Sequence, residues 1–260
     1  MKNKKGFKIK DIIKKEKEQH FLINQDILKK EVLVSNIKDN EKILEIGTGD
    51  GRLTKLIAEK ASYVLTFEKD ISLKKEIEKN LSNFNNIKII YDDALKYSWN
   101  NLDKITSNIP YSLSWDILEK AIKEDIKEIT LIVGEKFKKK LESEEKVGII
   151  SNLFFDINFL DKINKKEFYP IPRTDSWLIH FKRKENNNET EKILKELFMS
   201  KKKIKNGLIS SLSKKGFTKK EIKEKIQKFN LNEHSLNKNA FDVSGKFLIK
   251  IKEYLELFKK

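Results

Sequence analysis

The chain has 260 residues, of which 38% are hydrophobic and 37% are charged. This length accommodates one large domain and a small one, each with its own core. Lysine and arginine number 56 against 40 acidic residues, which gives a formal net charge of +16. Such an excess indicates a phosphate-rich partner, although a lysine-rich solvated surface would account for the same number.

The residues that are missing exclude several kinds of chemistry. The chain has no cysteine, so disulfide bonds, thiolate metal sites and thiol nucleophiles are excluded. Its three histidines are far apart in the sequence, and we predict no metal site. No apolar stretch has the length of a secretory signal behind the basic N-terminus, and none reaches the length of a membrane span. We therefore expect a cytoplasmic monomer without a membrane anchor.

Short apolar runs alternate with amphipathic runs from Lys42 onward, after a lysine-rich arm over residues 1–18. This alternation predicts a parallel, doubly wound α/β sheet, and the last two strands are expected to close it as an antiparallel pair. The predicted strands cover residues 43–46, 63–68, 87–91, 103–107, 129–133, 157–163 and 176–181, and the predicted helices cover 53–60, 72–82 and 114–123.

The character of the chain changes after a polar, aperiodic linker at residues 185–189. The following residues carry apolar side chains at helical spacing, together with many lysines and no arginine. We therefore predict a catalytic domain over residues 19–184 and a small, all-helical, RNA-binding domain over residues 190–260.

A glycine-rich loop follows the first predicted strand of the sheet. Gly47, Gly49 and Gly51 allow a sharp turn and a close approach of the backbone to a ligand. The dinucleotide fingerprint G-x-G-x-x-G is not met, because position 52 is Arg. Together with Glu45 just before it, the loop is more typical of a methyltransferase facing the amino-acid half of its cofactor; a plain tight turn is the alternative.

Acidic residues follow the next two predicted strands. Glu68 lies where a carboxylate can accept both ribose hydroxyls of an adenosine-type cofactor, and the alternative is an acid at a helix N-terminus, a role that suits Asp70 better. Asp93 is suited to accept from an adenine amine, with Ala94 leaving space beside the ring; Asp92 is a competing choice. Ligands bind at the carboxyl ends of strands in open α/β sheets, so the acids at successive strand ends together strengthen the prediction of one binding site.

The tetrapeptide Asn108-Ile109-Pro110-Tyr111 stands at the end of the fourth predicted strand. An exocyclic amine is a poor nucleophile and needs acceptors that hold its N–H groups, which the Asn108 side chain and the Ile109 carbonyl can supply. Pro110 fixes the turn without donating a hydrogen bond, and Tyr111 offers a face for base stacking. An ordinary turn is the competing interpretation.

Six ordered segments of the chain together resemble the ribosomal RNA adenine N6,N6-dimethyltransferases. This family includes the small-subunit dimethylases and the macrolide-resistance methylases. The resemblance implies a Rossmann-like class I methyltransferase sheet with a C-terminal helical domain. The segments are Gln19–Leu22, Glu45–Thr54, Phe67–Asp70, Asp93–Leu95, Asn108–Tyr111 and Phe168–Arg173.

The resemblance also implies the cofactor and the roles of individual residues. Asn108, Ile109 and Tyr111 are expected to present the adenine, and Phe168 to pack near the flipped base. The expected cofactor is S-adenosyl-L-methionine, with contacts from His20, Leu22, Gly47, Glu68, Asp93 and Asn108.

The basic segment at Lys201–Leu208 and the segment Phe241–Phe247 resemble the small-subunit type. The expected function is dimethylation of two adjacent adenosines in small-subunit ribosomal RNA, within an assembly particle and linked to ribosome biogenesis. Two alternatives stay open: a large-subunit adenine N6-methyltransferase, and a catalytically weak RNA-binding assembly factor. A DNA adenine methyltransferase uses a related tetrapeptide, but the basic helical tail favours structured RNA.

Overall fold

The computed structural model describes residues 20–185 and 188–258, so the predicted arm over residues 1–18 lies outside the described residues. The chain forms two compact units. The first comprises Met1–Lys138 and Ile157–Lys182, and the second comprises Lys139–Asp156 and Arg183–Lys260. The segment Lys139–Asp156 thus belongs with the C-terminal helices, whereas the sequence-based boundaries place it in the catalytic domain.

The strands and helices follow the alternation that the sequence predicts. In the first part of the chain they are β1 (Phe21–Leu22), α1 (Gln25–Val34), β2 (Lys42–Ile46), α2 (Arg52–Ala58), β3 (Tyr63–Phe67), α3 (Lys74–Leu81), β4 (Ile87–Ile90), β5 (Lys104–Asn108), α4 (Ser114–Lys123) and β6 (Glu128–Gly134). They continue with α5 (Glu135–Leu141), α6 (Lys146–Phe154), β7 (Phe155–Ile163), β8 (Phe168–Tyr169), β9 (Ser176–Arg183), α7 (Glu189–Met199), α8 (Ile204–Ser213), α9 (Lys219–Lys228), α10 (Glu233–Leu236) and α11 (Gly245–Glu256).

A seven-stranded sheet with the order β4-β3-β2-β5-β6-β9-β7 forms the centre of the first unit. The strands from β4 to β6 are parallel to their neighbours, and β9 runs antiparallel to β6 from Glu128↔Lys182 to Gly134↔Ser176. The predicted α/β class and the antiparallel closing strand are therefore confirmed. β1 and β8, which the sequence analysis did not predict, form a separate two-stranded antiparallel sheet.

Helices α1 and α2 cover one face of this sheet with apolar side chains. Leu28 and Val32 of α1 and Ile57 of α2 belong to the same buried cluster as Ile43 and Val64, which are paired across β2 and β3. Burial of each such side chain contributes about 1.5–3 kcal/mol. The helical period of the apolar residues in α2 thus fixes which face of the helix meets the sheet.

Two glutamates are buried under the same face of the sheet. Glu45 of β2 accepts hydrogen bonds from the Thr54 hydroxyl at 2.6 Å and the Thr66 hydroxyl at 2.7 Å. Burial raises the pKa of Glu45 to about 8, although these two hydrogen bonds act in the opposite direction. Glu31 of α1 is fully buried and neither carboxyl oxygen has a hydrogen-bond partner among the described residues. Burial, with the nearby charge of Glu45, raises the pKa of Glu31 well above its ordinary value.

A buried lysine fastens the end of α1 to the sheet. The Lys104 ammonium lies 3.1 Å from the carboxylates of Glu41 and Glu128 and donates to the carbonyl oxygens of Ser35 at 3.2 Å and Asn36 at 2.9 Å. Each polar group of this cluster is paired, so the cost of burying the charge is offset by several short contacts.

The second unit is helical, as the sequence predicts for the tail. Gly207 of α8 lets α7 approach closely, because a Cβ there would lie 2.5 Å from Leu197 Cδ2. Phe198 packs edge-on against Phe154 and Phe241, with ring centroids 5.8 and 4.9 Å away. In the part of the chain that the structure describes, no helix combines the length and apolar character needed to cross a membrane.

Glu31→Met is expected to stabilise the protein more at pH 8 than at pH 5. Between the ordinary glutamate pKa of 4.5 and the raised values of Glu31 and Glu45, the folded chain holds more protons than the unfolded chain, so stability falls as the pH rises. Removing the Glu31 carboxylate removes part of this loss of stability with pH. The free energy of unfolding should therefore be higher than that of the wild type by about 1–3 kcal/mol at pH 8. Urea unfolding curves at pH 5, 6.5 and 8 measure it.

The matched control is Glu59→Met, because Glu59 is an exposed glutamate at the end of α2. It should leave the dependence of the unfolding free energy on pH as it is in the wild type. If the unfolding free energies of Glu31→Met and the wild type changed equally with pH, Glu31 would not be a buried carboxylate that gains a proton on folding.

Candidate active site

The parallel strands bring four loops to one edge of the sheet. The loops follow β2, β3, β4 and β5, and each begins where its strand ends. Ser107 ties β2 to β5 at this edge, because its hydroxyl donates to the Ile46 carbonyl at 2.6 Å and accepts from the Ile46 amide at 3.1 Å. The glycine loop and the Asn108 tetrapeptide are therefore held side by side.

The glycine loop adopts a backbone that requires glycine. Gly47, Gly49 and Gly51 have φ values of +90°, +58° and +84°, which side chains with a Cβ adopt only with strain. The amides of Gly47 and Thr48 both donate to the Phe67 carbonyl, at 2.8 and 3.0 Å. The nearest atom to a Cβ on Gly47 would be the Asn108 carbonyl oxygen, 3.9 Å away, so this glycine lies beside the backbone of the tetrapeptide.

Glu68 connects the glycine loop to the end of β3. Its carboxylate accepts from the Gly49 amide at 2.9 Å and from the Asp70 amide at 2.7 Å, and the residue is 5% exposed. Burial raises the pKa of Glu68, while the two amide hydrogen bonds lower it. Asp70 caps the short helix that follows by accepting from the Ser72 amide, which is the role that the sequence assigned to it in preference to Glu68.

The two aspartates after β4 have different partners. Asp93 caps the turn at Ala94 by accepting from the Leu95 amide at 3.0 Å, and its second oxygen lies 3.2 Å from the Lys69 ammonium. Asp92 pairs with Lys96 at 2.8 Å and accepts from the Tyr97 hydroxyl at 3.1 Å. The hydrogen bond from the Leu95 backbone amide, followed by the contact with the Lys69 ammonium, favours the ionised carboxylate. These interactions hold the pKa of Asp93 below its ordinary value. The Ala94 side chain is buried beside this turn.

The tetrapeptide begins at the last residue of β5, and its side chains differ in exposure. Ile109 is 2% exposed, whereas Asn108 and Pro110 are partly exposed. The side-chain amide of Asn108 makes no hydrogen bond with any residue that the structure describes. Its oxygen is thus available to accept from a ligand.

Tyr111 is held in place on two sides. Its hydroxyl is hydrogen-bonded to the Ser176 hydroxyl at the start of β9. Its ring lies against Gly134, where an added Cβ would come within 2.9 Å of Tyr111 Cδ2. His20 lies over the same ring, with centroids 6.3 Å apart and planes 27° apart, and its Nδ1 is 2.8 Å from the Pro170 carbonyl.

The side chains of three predicted site residues are buried. The Glu45 carboxylate is enclosed by threonine hydroxyls beneath the sheet. Leu22 and Phe168 pair across the β1–β8 sheet and are 3% and 1% exposed, as part of the hydrophobic core. The structure brings together Gly47, Gly49, Glu68 and Asn108, with His20 beside Tyr111.

Ser176 and Gly134 are two residues of this site that the sequence analysis did not identify. Both lie in strands far along the chain from the tetrapeptide, and neither belongs to a pattern that indicates contact with Tyr111. Among the described residues, no group of three or more His, Asp or Glu side chains is arranged to hold a metal ion.

Comparisons with known proteins identify the family of the chain. The profile of the family described as ribosomal RNA adenine dimethylase matches residues 11–244. A probable ribosomal RNA small subunit methyltransferase A from Thermococcus sibiricus is 31% identical, covering 91% of this chain and 90% of that protein. Its counterpart from Fusobacterium nucleatum is 30% identical, covering 95% and 96%.

A solved structure shares the fold. A dimethyladenosine transferase from Plasmodium falciparum superposes with a TM-score of 0.64 at 23% identity, covering 91% of this chain and 98% of that one. The Rossmann-like methyltransferase sheet and the C-terminal helices that the sequence predicts are thereby confirmed. With a family profile that spans most of its length, the chain is a member of the ribosomal RNA adenine dimethylase family.

Proposed function

We propose that this chain transfers methyl groups from S-adenosylmethionine to the N6 amines of two adjacent adenosines in small-subunit ribosomal RNA. The observation that supports the proposal is that the Asn108 side-chain amide makes no hydrogen bond with any described residue, while the Asn108 backbone carbonyl lies beside Gly47 of the loop that Glu68 holds. From this we infer a cofactor site and a set of amine acceptors at one edge of the sheet.

The residues at this edge fit an adenosine-containing cofactor. A carboxylate offers about four acceptor positions, and the two amides bonded to Glu68 occupy two of them, which leaves capacity for ribose hydroxyls. Gly47 and Gly49 would present backbone of positive φ to the methionine half, and Asp93 with Ala94 lies at the loop after β4 for the adenine. We assign Glu45 and Leu22 to the support of these loops, because both side chains are buried.

The target amine would be held by the tetrapeptide. The lone pair of an exocyclic amine is delocalised into the ring, so acceptors that bind its N–H groups help the nitrogen to become tetrahedral. The Asn108 oxygen and the Ile109 carbonyl supply these acceptors, and the partly exposed ring of Tyr111 supplies a stacking surface. S-adenosylmethionine supplies a methyl group on a sulfonium leaving group, so the main contribution of the protein is in-line positioning.

The adenosine has to leave its helix or loop to reach this edge. A base stacked in a duplex cannot present its amine, so an unpaired or flipped base is required. His20 and Tyr111 would then border the base, whereas Phe168, expected beside the base, would support the site from the core. The ring of Phe168 acts in this proposal through β1, with which its strand pairs.

The choice of RNA rests on similarity and on charge. The relatives at about 30% identity over nine-tenths of the chain are small-subunit methyltransferases by name. The lysine-rich tail supplies the positive charge that RNA binding requires. Small-subunit particles that lack the modification, incubated with labelled S-adenosylmethionine, test the assignment directly. Label confined to large-subunit RNA would overturn the substrate, and binding to particles without any label would favour the assembly-factor alternative.

Asn108→Ala should lower methyl transfer by at least about a hundredfold, because it removes an acceptor for the reacting amine. Binding of the RNA should change little, since RNA is held mainly through phosphates. Asn108→Asp keeps an acceptor oxygen and should retain measurable turnover. Single-turnover transfer and RNA affinity are the two measurements, and Asn83→Ala, at an exposed asparagine, is the control. Unchanged transfer in Asn108→Ala would remove Asn108 from the mechanism.

Ser176→Ala and Tyr111→Phe should each reduce the rate of transfer several-fold and should be non-additive in combination. Each removes the same hydrogen bond that fixes the Tyr111 ring, so the second substitution has nothing further to remove. The double-mutant cycle is measured on kcat and on the ratio of mono- to dimethylated adenosine. Additive effects would mean that Ser176 acts on the reaction by a route other than Tyr111.

A further inference from the structure

A second polar concavity lies in the helical unit, between α8 and the start of α9. Its volume is about 510 Å³. The lining contains two lysines, three residues with hydroxyl or amide side chains, one isoleucine, and no acidic residue. The lining residues are Asn206, Ile209, Ser210, Ser213, Lys214 and Lys219.

The periodicity of α8 explains how the polar lining arises. Asn206, Ser210 and Ser213 are spaced by four and three residues and therefore share one face of the helix. The opposite face carries Ile204 and Leu208, which are buried in the helical core. The polar face is thus left to solvent and is free to meet a partner.

A tight connection brings the two lysines to the same concavity. Lys214 ends α8, and the chain then reverses at Gly216, whose φ is +87°. Thr218 caps α9 through a reciprocal capping box with Glu221, so that Lys219 becomes the first residue of the helix. The turn and the cap therefore set the positions of the two ammonium groups.

The charge of the concavity is not neutralised from within the protein. The side-chain ammonium groups of Lys214 and Lys219 form no hydrogen bond or ion pair with any residue for which the structure gives a position. Two carboxylates of neighbouring elements are engaged elsewhere: Glu189 pairs with Lys215 at 2.6 Å, and Glu221 takes part in the capping box. A third cation, Lys202, donates to the Ser210 hydroxyl at 3.2 Å and adds to the positive potential.

We propose that this concavity binds a phosphodiester group of the RNA substrate, as a contact separate from the candidate active site. The inference rests on the proposed function, because that function supplies the RNA. Ammonium, hydroxyl and amide donors are the groups that bind phosphate oxygens, and Ile209 offers an apolar surface to the adjoining sugar. Such a contact reads no sequence; it fixes the register of the RNA on the protein.

The test compares two double variants that remove the same charge. Lys214→Gln/Lys219→Gln alters the concavity, while Lys223→Gln/Lys228→Gln alters exposed lysines of α9 outside it. The probe is a transcript of the small-subunit ribosomal RNA, and its affinity is measured from low to moderate salt. Thermal unfolding of each variant checks that the helical unit is folded.

The concavity variant should bind the transcript at least about tenfold more weakly at low salt. The slope of log affinity against log salt concentration should become shallower by the amount expected for the loss of about one to two phosphate contacts. The control pair should change both quantities much less. Ser213→Glu, which places a negative charge in the concavity without removing a lysine, should weaken binding in the same direction.

Two outcomes would overturn the proposal. Equal weakening by both double variants would mean diffuse attraction by surface charge and no built contact. Unchanged affinity for the transcript, with weaker binding to the assembled particle, would assign the concavity to a protein partner. A wild-type chain that binds the transcript through these lysines without transferring methyl groups would leave the contact standing and refute the proposed function alone.

Discussion

The parallel register of β4, β3, β2 and β5 is the constraint on which the candidate site depends. Each strand of a parallel sheet ends at the same edge, so the four loops that follow must meet there. Glu68 then holds the glycine loop through the Gly49 amide, and Ser107 holds Asn108 beside Ile46. Without this register, the same side chains would be scattered along the chain and no common site would form.

Several charged and polar side chains are buried where the helices cover this sheet. Lys104 is compensated by Glu41 and Glu128, whereas the Glu31 carboxyl has no partner among the described residues. A buried unpaired carboxylate is costly, and a protonated one costs much less. The fold is therefore expected to tolerate Glu31 mainly in its neutral form.

The two proposed contacts with RNA would bind different parts of the nucleotide. The candidate active site offers one acceptor amide and one fixed aromatic ring, which suit a single flipped base. The concavity of α8 and α9 offers ammonium and hydroxyl donors, which suit a phosphate of any nucleotide. Chemical selectivity would then come from the first contact, and much of the affinity from the second.

The sequence by itself determined the α/β alternation, the order of the loops and the helical tail, because the 2.0 and 3.6 periods of apolar residues are local. It also placed Asp70 as a cap and Gly47 in the loop. It missed α1 and the β1–β8 pair, and it gave no sign that the side chains of Glu45, Leu22 and Phe168, which it predicted at the site, are buried. Only the tertiary structure decided which side of a strand faces the cleft and that Ser176 and Gly134 hold Tyr111, because these contacts join residues far apart in the chain.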